Sequence, residues 1–240
     1  FIWDIDGVIA DSPHEESWRE VAESSEWGLK GLTSDFYLKY VASKPRYEGA
    51  HNILDKLGGY KKFGADTEEK KKEILTRYAE QKNNLIKKLI NEGKFGVFDS
   101  SVILLVEAKE RGVKNAAASA SKNANSMLIK IKVNDILKRN GIEKEYPFVN
   151  KETTVYDLFD INVCGRTVKN GKTEIFKIAS EELKNISNGE IENFIVFEDG
   201  LTGIEAAKNN NFLIFLAMVL SNSTHPRVWR IFFPDFFDLK

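Results

Sequence analysis

Cysteine and histidine are scarce in this 240-residue sequence, and their scarcity excludes two classes of protein. The single cysteine, Cys164, has no partner for an internal disulfide. One cysteine and three histidines are also too few for the usual structural zinc sites. We therefore expect a protein of a reducing, cytoplasmic compartment.

Long apolar runs are also missing. The longest, from Phe212 to Leu220, is well short of the roughly 20 residues that a membrane-spanning helix needs, and it predicts a buried strand. No secretory signal is visible near Phe1, so we expect neither export nor a membrane partner.

A strong charge of one sign is lacking as well. The 35 basic and 36 acidic side chains nearly cancel, which argues against nucleic acid or an anionic surface as the main partner. With 42% hydrophobic residues the chain can bury a full core, as one large domain or as one domain with an insertion.

The order of predicted elements indicates an α/β protein with a helical insertion. Apolar strand-like segments occur at 1–3, 113–118, 161–163, 194–197 and 212–216, and helical patterns alternate with the later ones. This alternation is typical of a parallel sheet flanked by helices. Between the first strand and residue 93 the pattern is helical only. We predict a core domain of residues 1–12 and 93–240, and a helical domain of residues 13–92.

The first inserted helix carries start signals. Ser12 is the expected N-cap, Pro13 fits the first helical position, and Glu15 would complete a capping box. The turn after the first strand should therefore lead directly into a helix.

Paired acids follow two of the predicted strands. Asp4 and Asp6 end the first strand in the stretch D-I-D-G, and Glu198 and Asp199 end a later one in E-D-G. An EF-hand loop counted from Asp4 is excluded, because Val8 and Ile9 stand where an oxygen ligand and a glycine are needed. Open α/β sheets bind ligands at the carboxyl ends of their strands. If the two strands are neighbours, their acids converge there and would suit an octahedral magnesium ion, Mg2+.

Two further segments have both a chemical and a structural interpretation. The stretch S-A-S-K-N could hold an anion with hydroxyls, free backbone amides and a lysine at a helix start, or it could be a plain serine N-cap; its residues are Ser119, Ala120, Ser121, Lys122 and Asn123. Lys172, just before a predicted helix, is either a second anion ligand or a surface charge.

The last inserted helix has an apolar stripe that includes Lys82. From spacing alone, its stem would lie on apolar surface with the ammonium in water. The alternative is a lysine aimed into an interdomain cleft.

Taken together, the D-x-D-G loop, the serine at a strand end, the lysine and the acidic pair resemble the motifs of the haloacid dehalogenase superfamily, in the same order. The resemblance implies a Rossmann-like parallel sheet core with a small all-helical cap inserted after the first strand. Within the superfamily the sequence looks most like the β-phosphoglucomutase subgroup. The S-A-S-K-N run is similar to that subgroup's phosphate-binding segment, and Arg46 in K-P-R-Y-E-G matches an arginine that holds the substrate's distal phosphate. His14 and Lys82 match a pair that couples cap closure to activation of the acid/base aspartate.

The resemblance implies roles for the other residues. Asp4 would be the nucleophile and Asp6 the general acid and base. Mg2+ would be held by Asp4, the backbone carbonyl of Asp6, Glu198 and Asp199, while Ser119 and the third-motif lysine bind the transferred phosphoryl group. That lysine is followed here by a shortened segment, so Lys172 is preferred and Lys169 stays open.

The expected activity is phosphoryl transfer on a small sugar phosphate through an aspartyl phosphate. A sugar hydroxyl as acceptor makes the protein a hexose phosphate mutase, and water makes it a sugar-phosphate phosphatase. A non-enzymatic binding module on the same fold predicts damage to a motif, and all four motifs are intact.

Overall fold

The computed structural model describes residues 1–42 and 44–216. By its internal contacts the chain divides into a sheet unit, Phe1–Asp11 with Val97–Lys240, and a contiguous helical unit, Ser12–Gly96. The aromatic C-terminal stretch, 228–239, lies outside the described residues. None of the helices described is long and apolar enough to cross a membrane.

The sheet unit is built on five parallel strands in the order β5-β4-β1-β6-β7. They are β1 (Ile2–Trp3), β4 (Ala116–Ala117), β5 (Ile161–Asn162), β6 (Ile195–Glu198) and β7 (Leu213–Leu216). Two more strands, β2 (Ala10–Asp11) and β3 (Gly96–Val97), pair with each other. The helices of this unit are α6 (Asp99–Glu110), α7 (Ala124–Leu128), α8 (Val133–Arg139), α9 (Gly171–Ile186) and α10 (Leu201–Asn209), with a 3-10 turn at Val155–Leu158. The α/β prediction is confirmed.

Strand β1 occupies the centre of the sheet. Ile2 is in register with Ala116 on one side and with Val196 on the other. Trp3 is in register with the small Ala117 on β4 and with Phe197 on β6. Its ring stacks on the ring of Phe197, with the centroids 3.9 Å apart. The Trp3 indole N–H donates to Asn115 Oδ1 at 2.9 Å, which satisfies its buried polar atom. The first strand is therefore fixed on both edges and on its face.

The strand predicted within 212–220 is confirmed at Leu213–Leu216, but the prediction that it is buried is wrong for Leu213, which is 60% exposed. Among the described residues, β7 is the last strand in the order and pairs only with β6, so its apolar residues are not all covered.

The helical unit contains α1 (His14–Glu23), α2 (Ser34–Tyr40), α3 (Arg46–Lys56), α4 (Gly59–Lys62) and α5 (Glu68–Asn91). Thr33 and Thr67 cap α2 and α5 by accepting the backbone N–H of Phe36 and Lys70. The core is centred on Tyr78, whose ring contacts Trp18 and Trp27 at centroid distances of 5.7 and 4.8 Å. Each of these aromatic pairs adds about 0.5–1.5 kcal/mol beyond burial of its surface.

The predicted capping box at the start of α1 is not formed. The helix begins at His14 with Pro13 as the N-cap residue, and no side chain caps it. The Glu15 carboxylate is instead engaged by Arg19 one turn later and by the Ser34 hydroxyl. A cationic partner competes successfully with the weaker backbone cap.

Candidate active site

The carboxyl ends of β1 and β6 bring three acidic residues together. The backbone N–H of Asp4 donates to the carbonyl of Phe197 at 3.0 Å, which continues the β1–β6 pairing one residue beyond the strand. Oxygens of Asp4, Glu198 and Asp199 all lie within 4.8 Å of one another. Asp4 is 2% exposed and Glu198 is fully buried. Three carboxylates this close require a cationic partner.

Lys172 supplies one such partner. Its Nζ lies 2.6 Å from Asp4 Oδ2 and 2.8 and 2.7 Å from the two oxygens of Glu198. Lys169 is exposed, and its backbone N–H donates to Glu174. Of the two lysines left open by the sequence, Lys172 is therefore the one that contacts the acidic group. It stands in the first turn of α9 rather than before the helix.

Two glycines allow the chain to approach the acids closely. Gly7 has φ +81°, and a Cβ added there would lie 2.0 Å from Asp199 Oδ2. A Cβ on Gly203 in α10 would likewise lie 2.0 Å from Glu198 Oε2. The sequence analysis missed both positions. A glycine inside a helical pattern such as L-T-G-I-E-A-A was the signal for Gly203, because glycine there is otherwise unfavourable.

The turn after β1 places Asp6 beside this group. The carbonyl of Ile5 accepts the N–H groups of Val8, Ile9 and Ala10 at 2.9–3.3 Å, and the Gly7 N–H donates to the carbonyl of Ala10 at 2.8 Å. These bonds close a tight turn around Asp6 and Gly7. The side chain of Asp6 is not part of the three-carboxylate group, which contains Asp4, Glu198 and Asp199.

Charge and burial shift the pKa values of Glu198, Asp199 and Lys172. Desolvation, with a smaller contribution from the Asp4 carboxylate, raises the pKa of the buried Glu198 to about 7. The same two causes raise the pKa of Asp199 to about 6, although Asp199 as a whole residue is exposed. Burial would lower the pKa of Lys172, but the carboxylates of Asp4 and Glu198 outweigh it and raise that pKa above its ordinary value. The lysine is therefore an ammonium that neutralises part of the acidic group.

The donor set fits a hard divalent cation. All three converging side chains offer carboxylate oxygens, which Mg2+ prefers. Asp4 Oδ1 is buried and accepts no hydrogen bond from any described residue. A buried carboxylate oxygen without a partner is costly, and a cation would satisfy it.

The segment after β4 differs in part from the predicted anion cradle. Ser119 is buried at the strand end, but the N–H groups of Ser121 and Asn123 are not free: they donate to Ser119 Oγ and Ser121 Oγ, each at 3.3 Å. The helix that follows, α7, has only five residues and no side-chain cap. The hydroxyls and Lys122 therefore remain as candidate anion ligands of this segment, whereas the amides of Ser121 and Asn123 are held by long, weak bonds.

Cys164 lies beside Ser119, a position that the sequence analysis did not connect with the site. Its thiol is affected by a backbone hydrogen bond from Ser119 and by the Asp4 and Asp6 carboxylates. Burial is the largest effect and raises the pKa of Cys164 to about 12. No local sequence signal could have placed it there, because it reaches the site through the β4–β5 pairing.

The three remaining candidates lie in the helical unit. Lys82 Nζ is 2.7 Å from His14 Nδ1 and 4.8 Å from the Trp18 ring centroid, so α1 and α5 meet at this pair. Lys82 is only 3% exposed, and the interpretation with its ammonium in water is wrong. Arg46 is the first residue of α3 and is partly buried.

Comparison with known proteins agrees with this geometry. The family model of haloacid dehalogenase-like hydrolases matches residues 1–211. The chain belongs to the haloacid dehalogenase superfamily and is an enzyme of that class.

Three solved structures are similar to this chain. The archaeal beta-phosphoglucomutase from Pyrococcus sp. strain ST 04 is 41% identical, with a TM-score of 0.73 over 89% of this chain and 83% of that one. The beta-phosphoglucomutase from Clostridium difficile is 28% identical, with a TM-score of 0.55 over 89% and 82%. CbbY from Rhodobacter sphaeroides, solved in complex with xylulose-(1,5)bisphosphate, shares the fold at 18% identity, with a TM-score of 0.56 over 90% and 84%.

Proposed function

We propose that this chain is a magnesium-dependent phosphotransferase that acts on a sugar phosphate through an aspartyl phosphate, as a β-phosphoglucomutase-type hexose phosphate mutase. The observation that carries the proposal is the state of Asp4. One carboxylate oxygen is held by Lys172, while the other is buried at the end of β1 and receives no hydrogen bond from the part of the chain that the structure describes. The 41% identity to an archaeal beta-phosphoglucomutase supports the mutase assignment.

Asp4 would be the nucleophile. Its carboxylate attacks the phosphorus of the donor, the bond from phosphorus to the leaving sugar oxygen breaks, and an acyl phosphate forms on Asp4. A second attack by the acceptor oxygen returns the free carboxylate. Covalent catalysis of this kind replaces one difficult transfer by two easier ones.

Asp4, Asp199, Glu198 and the backbone carbonyl of Asp6 would hold Mg2+. When bound, the ion supplies positive charge that screens the nucleophile from the phosphoryl oxygens. Lys172 and Ser119 would hold those same oxygens. Removal of a charge-stabilising donor of this type costs about 2.7–4 kcal/mol in activation free energy.

Asp6 would move the proton. As an acid it protonates the leaving oxygen, and as a base it removes the proton of the attacking hydroxyl. General acid–base catalysis typically contributes about 10²- to 10⁴-fold in rate. The tight turn around Gly7 holds Asp6 close to Asp4, and both carboxylates would act on the same phosphoryl group.

A mutase needs a second phosphate site, because its intermediate is a bisphosphate. Arg46 would hold the distal phosphate, together with Ser121, Lys122 and Asn123. The side chains of Arg46 and Lys122 form no hydrogen bond or ion pair with another residue in the described ranges, so both cations are available to a ligand. The buried His14–Lys82 pair would couple the helical unit to activation of Asp6.

A sugar-phosphate phosphatase is the second candidate. The matching family model describes hydrolases, and the same acyl phosphate is hydrolysed when water replaces the sugar hydroxyl. The two functions differ only in the acceptor. The nearly balanced charge of 35 basic and 36 acidic side chains argues against nucleic acid or an anionic membrane surface as partner, and the single cysteine fits a cytoplasmic enzyme.

The deciding experiment offers the purified protein β-glucose 1-phosphate and Mg2+ with a trace of glucose 1,6-bisphosphate. Glucose 6-phosphate and inorganic phosphate are followed in the same reaction. Glucose 6-phosphate in excess over phosphate supports the mutase, whereas phosphate alone identifies a phosphatase. Arg46→Ala should then slow the mutase reaction more than cleavage of an aryl phosphate, which has no distal phosphate.

A further inference from the structure

Lys172 lies in the first turn of α9, where the sequence gives the backbone little rigidity. The segment 165–174 contains no proline, and Gly171, directly before the lysine, has φ +55°. Glycine leaves the backbone many alternative conformations. Yet the ammonium is held within 2.6–2.8 Å of three carboxylate oxygens. Something else must fix this turn.

Glu174 closes the turn from inside the helix. Its Oε2 accepts the backbone N–H groups of Lys169 and Asn170, each at 3.0 Å. These are N–H groups at the helix start, and Asn170, the N-cap residue, has no side-chain cap bond of its own. Glu174 therefore ties the residues before Lys172 to the residue two positions after it.

Asn210 fixes the same turn from a second helix. Its Nδ2 donates to the carbonyl of Thr173 at 3.0 Å and to the carbonyl of Ala206 at 2.8 Å. Asn210 is the C-cap residue of α10, and Gly200 at the opposite end of α10 donates its N–H to Glu198 Oε1 at 2.9 Å. One helix thus contacts both the acid and the turn that carries the lysine.

We propose that Glu174 and Asn210 are positioning residues for Lys172, which hold the first turn of α9 so that the ammonium stays between Asp4 and Glu198. The inference rests on the proposed function, in which Lys172 binds the transferred phosphoryl group. Both residues act through the backbone around Lys172 rather than on the acidic group itself. A displacement of about 1 Å in such a group can reduce the rate about 10²-fold, although the bonds that set its position lie far from the reacting atoms.

The test is a double-mutant cycle on kcat, with glucose 6-phosphate formation or phosphate release as the assay. Glu174→Ala should lower kcat about 10- to 100-fold in the wild-type background. When Glu174→Ala is added to a Lys172→Ala or Lys172→Gln variant, it should change kcat less than twofold, because no ammonium remains to be positioned. Asn210→Ala should follow the same pattern.

Matched variants separate positioning from general structure. Glu174→Gln keeps a side-chain oxygen at the same reach and should restore kcat to within threefold of wild type. Exposed neighbours on the same two helices, Glu181 and Asn209, serve as controls, and their alanine variants should retain wild-type kcat. Thermal unfolding confirms that each variant is folded.

The outcomes distinguish the positioning role of Glu174 and Asn210 from the proposed function of Lys172. Equal losses from Glu174→Ala with and without Lys172 would overturn the positioning role and leave the proposed function intact. Wild-type kcat in Lys172→Ala would overturn the assignment of the lysine itself, and the positioning role with it. A Glu174→Gln variant as impaired as Glu174→Ala would show that the charge, rather than the two hydrogen bonds, is what matters, and would also overturn the proposal.

Discussion

Gly7 lies so close to Asp199 that an added methyl group would sit 2.0 Å from Oδ2 of that carboxylate. The turn after Asp4 and the carboxylate of Asp199 are therefore in direct contact. The contact exists only because residue 7 has no side chain, and it leads to the first prediction.

Gly7→Ala should impair magnesium activation. The new Cβ must displace the Asp199 carboxylate, and φ +81° is unfavourable for alanine. We expect at least a tenfold rise in the Mg2+ concentration that gives half-maximal activity. Gly112→Ala is the matched control, because Gly112 has φ +78° but no atom within 4 Å of the added Cβ. Both variants should lose about 1 kcal/mol of stability, and an equal effect on magnesium activation would contradict the prediction.

Substitutions of Asp4 and Asp6 should have different effects on activity. Asp4→Asn should abolish acyl-phosphate formation, since an amide is not a nucleophile, and no activity should remain on any substrate. Asp6→Asn should lower turnover by about 10²- to 10⁴-fold yet still allow transfer to Asp4 from a donor with a good leaving group. Acetyl phosphate with detection of the phosphorylated protein by mass spectrometry checks both. A phosphorylated Asp4→Asn protein would exclude Asp4 as nucleophile.

Magnesium should stabilise the protein more at pH 8 than at pH 5. Without the ion, the raised pKa values of Glu198 (about 7) and Asp199 (about 6) mean that the folded state binds more protons than the unfolded state between about pH 4 and 7. The stabilisation from this difference is complete at low pH and is lost as pH rises through 6 to 7. The ion binds the deprotonated carboxylates and so offsets that loss.

Scanning calorimetry in EDTA and in Mg2+ at both pH values measures this effect. Asp199→Asn should reduce the magnesium-induced rise in Tm. An equal rise in Tm at pH 5 and pH 8 would argue against these carboxylates as the ligands.

Lys82 should matter to the stability of the helical unit. Its side chain is buried against the Trp18 ring and bonded to His14, so Lys82→Ala leaves both a void and a lost hydrogen bond. We expect a loss of about 1–3 kcal/mol in the free energy of unfolding. Lys87→Ala, at an exposed site of the same helix, should stay within about 0.5 kcal/mol. Urea denaturation compares the two, and Lys82→Met, which keeps the stem, separates packing from charge.

Cys164 should be nearly inert to alkylation in the folded protein. With its pKa raised to about 12, almost no thiolate is present at pH 7.5, and the thiolate is the reactive form. Iodoacetamide should modify it at least tenfold faster in 8 M urea than in buffer, as followed by intact-mass measurement. Equal rates would show that the thiol is neither buried nor influenced by the nearby acids.

The sequence predicted the parts of the site that depend on strand order. Asp4 and Glu198 could be placed together because both follow apolar strands, and parallel strands end at one edge of a sheet. Lys172 could not be separated from Lys169, since that choice depends on where α9 begins, and helix boundaries are poorly determined by local sequence.

The failed predictions share a physical cause. The capping box at Ser12 and the solvated ammonium of Lys82 were both inferred from one segment alone. Other side chains overrode both inferences. Arg19, one turn later in the same helix, and Ser34, 19 residues further along the chain, engage Glu15, and Lys82 contacts His14, 68 residues before it. The exposure of Leu213 likewise depends on the place of β7 at the end of the strand order within the described ranges, and a local stretch of sequence does not contain that order.

The position of β1 at the centre of the sheet also determines when the enzyme can form during synthesis. The helical unit is contiguous and is complete at residue 96, whereas β1 must wait for β4 at residue 116 and β6 at residue 195. Domains generally fold as units while the chain is being made, and pairing across long separations is slow. The nascent chain should therefore present a folded helical unit well before it has a sheet, and Asp4, although made early, joins Glu198 and Asp199 only after nearly two hundred residues have followed it.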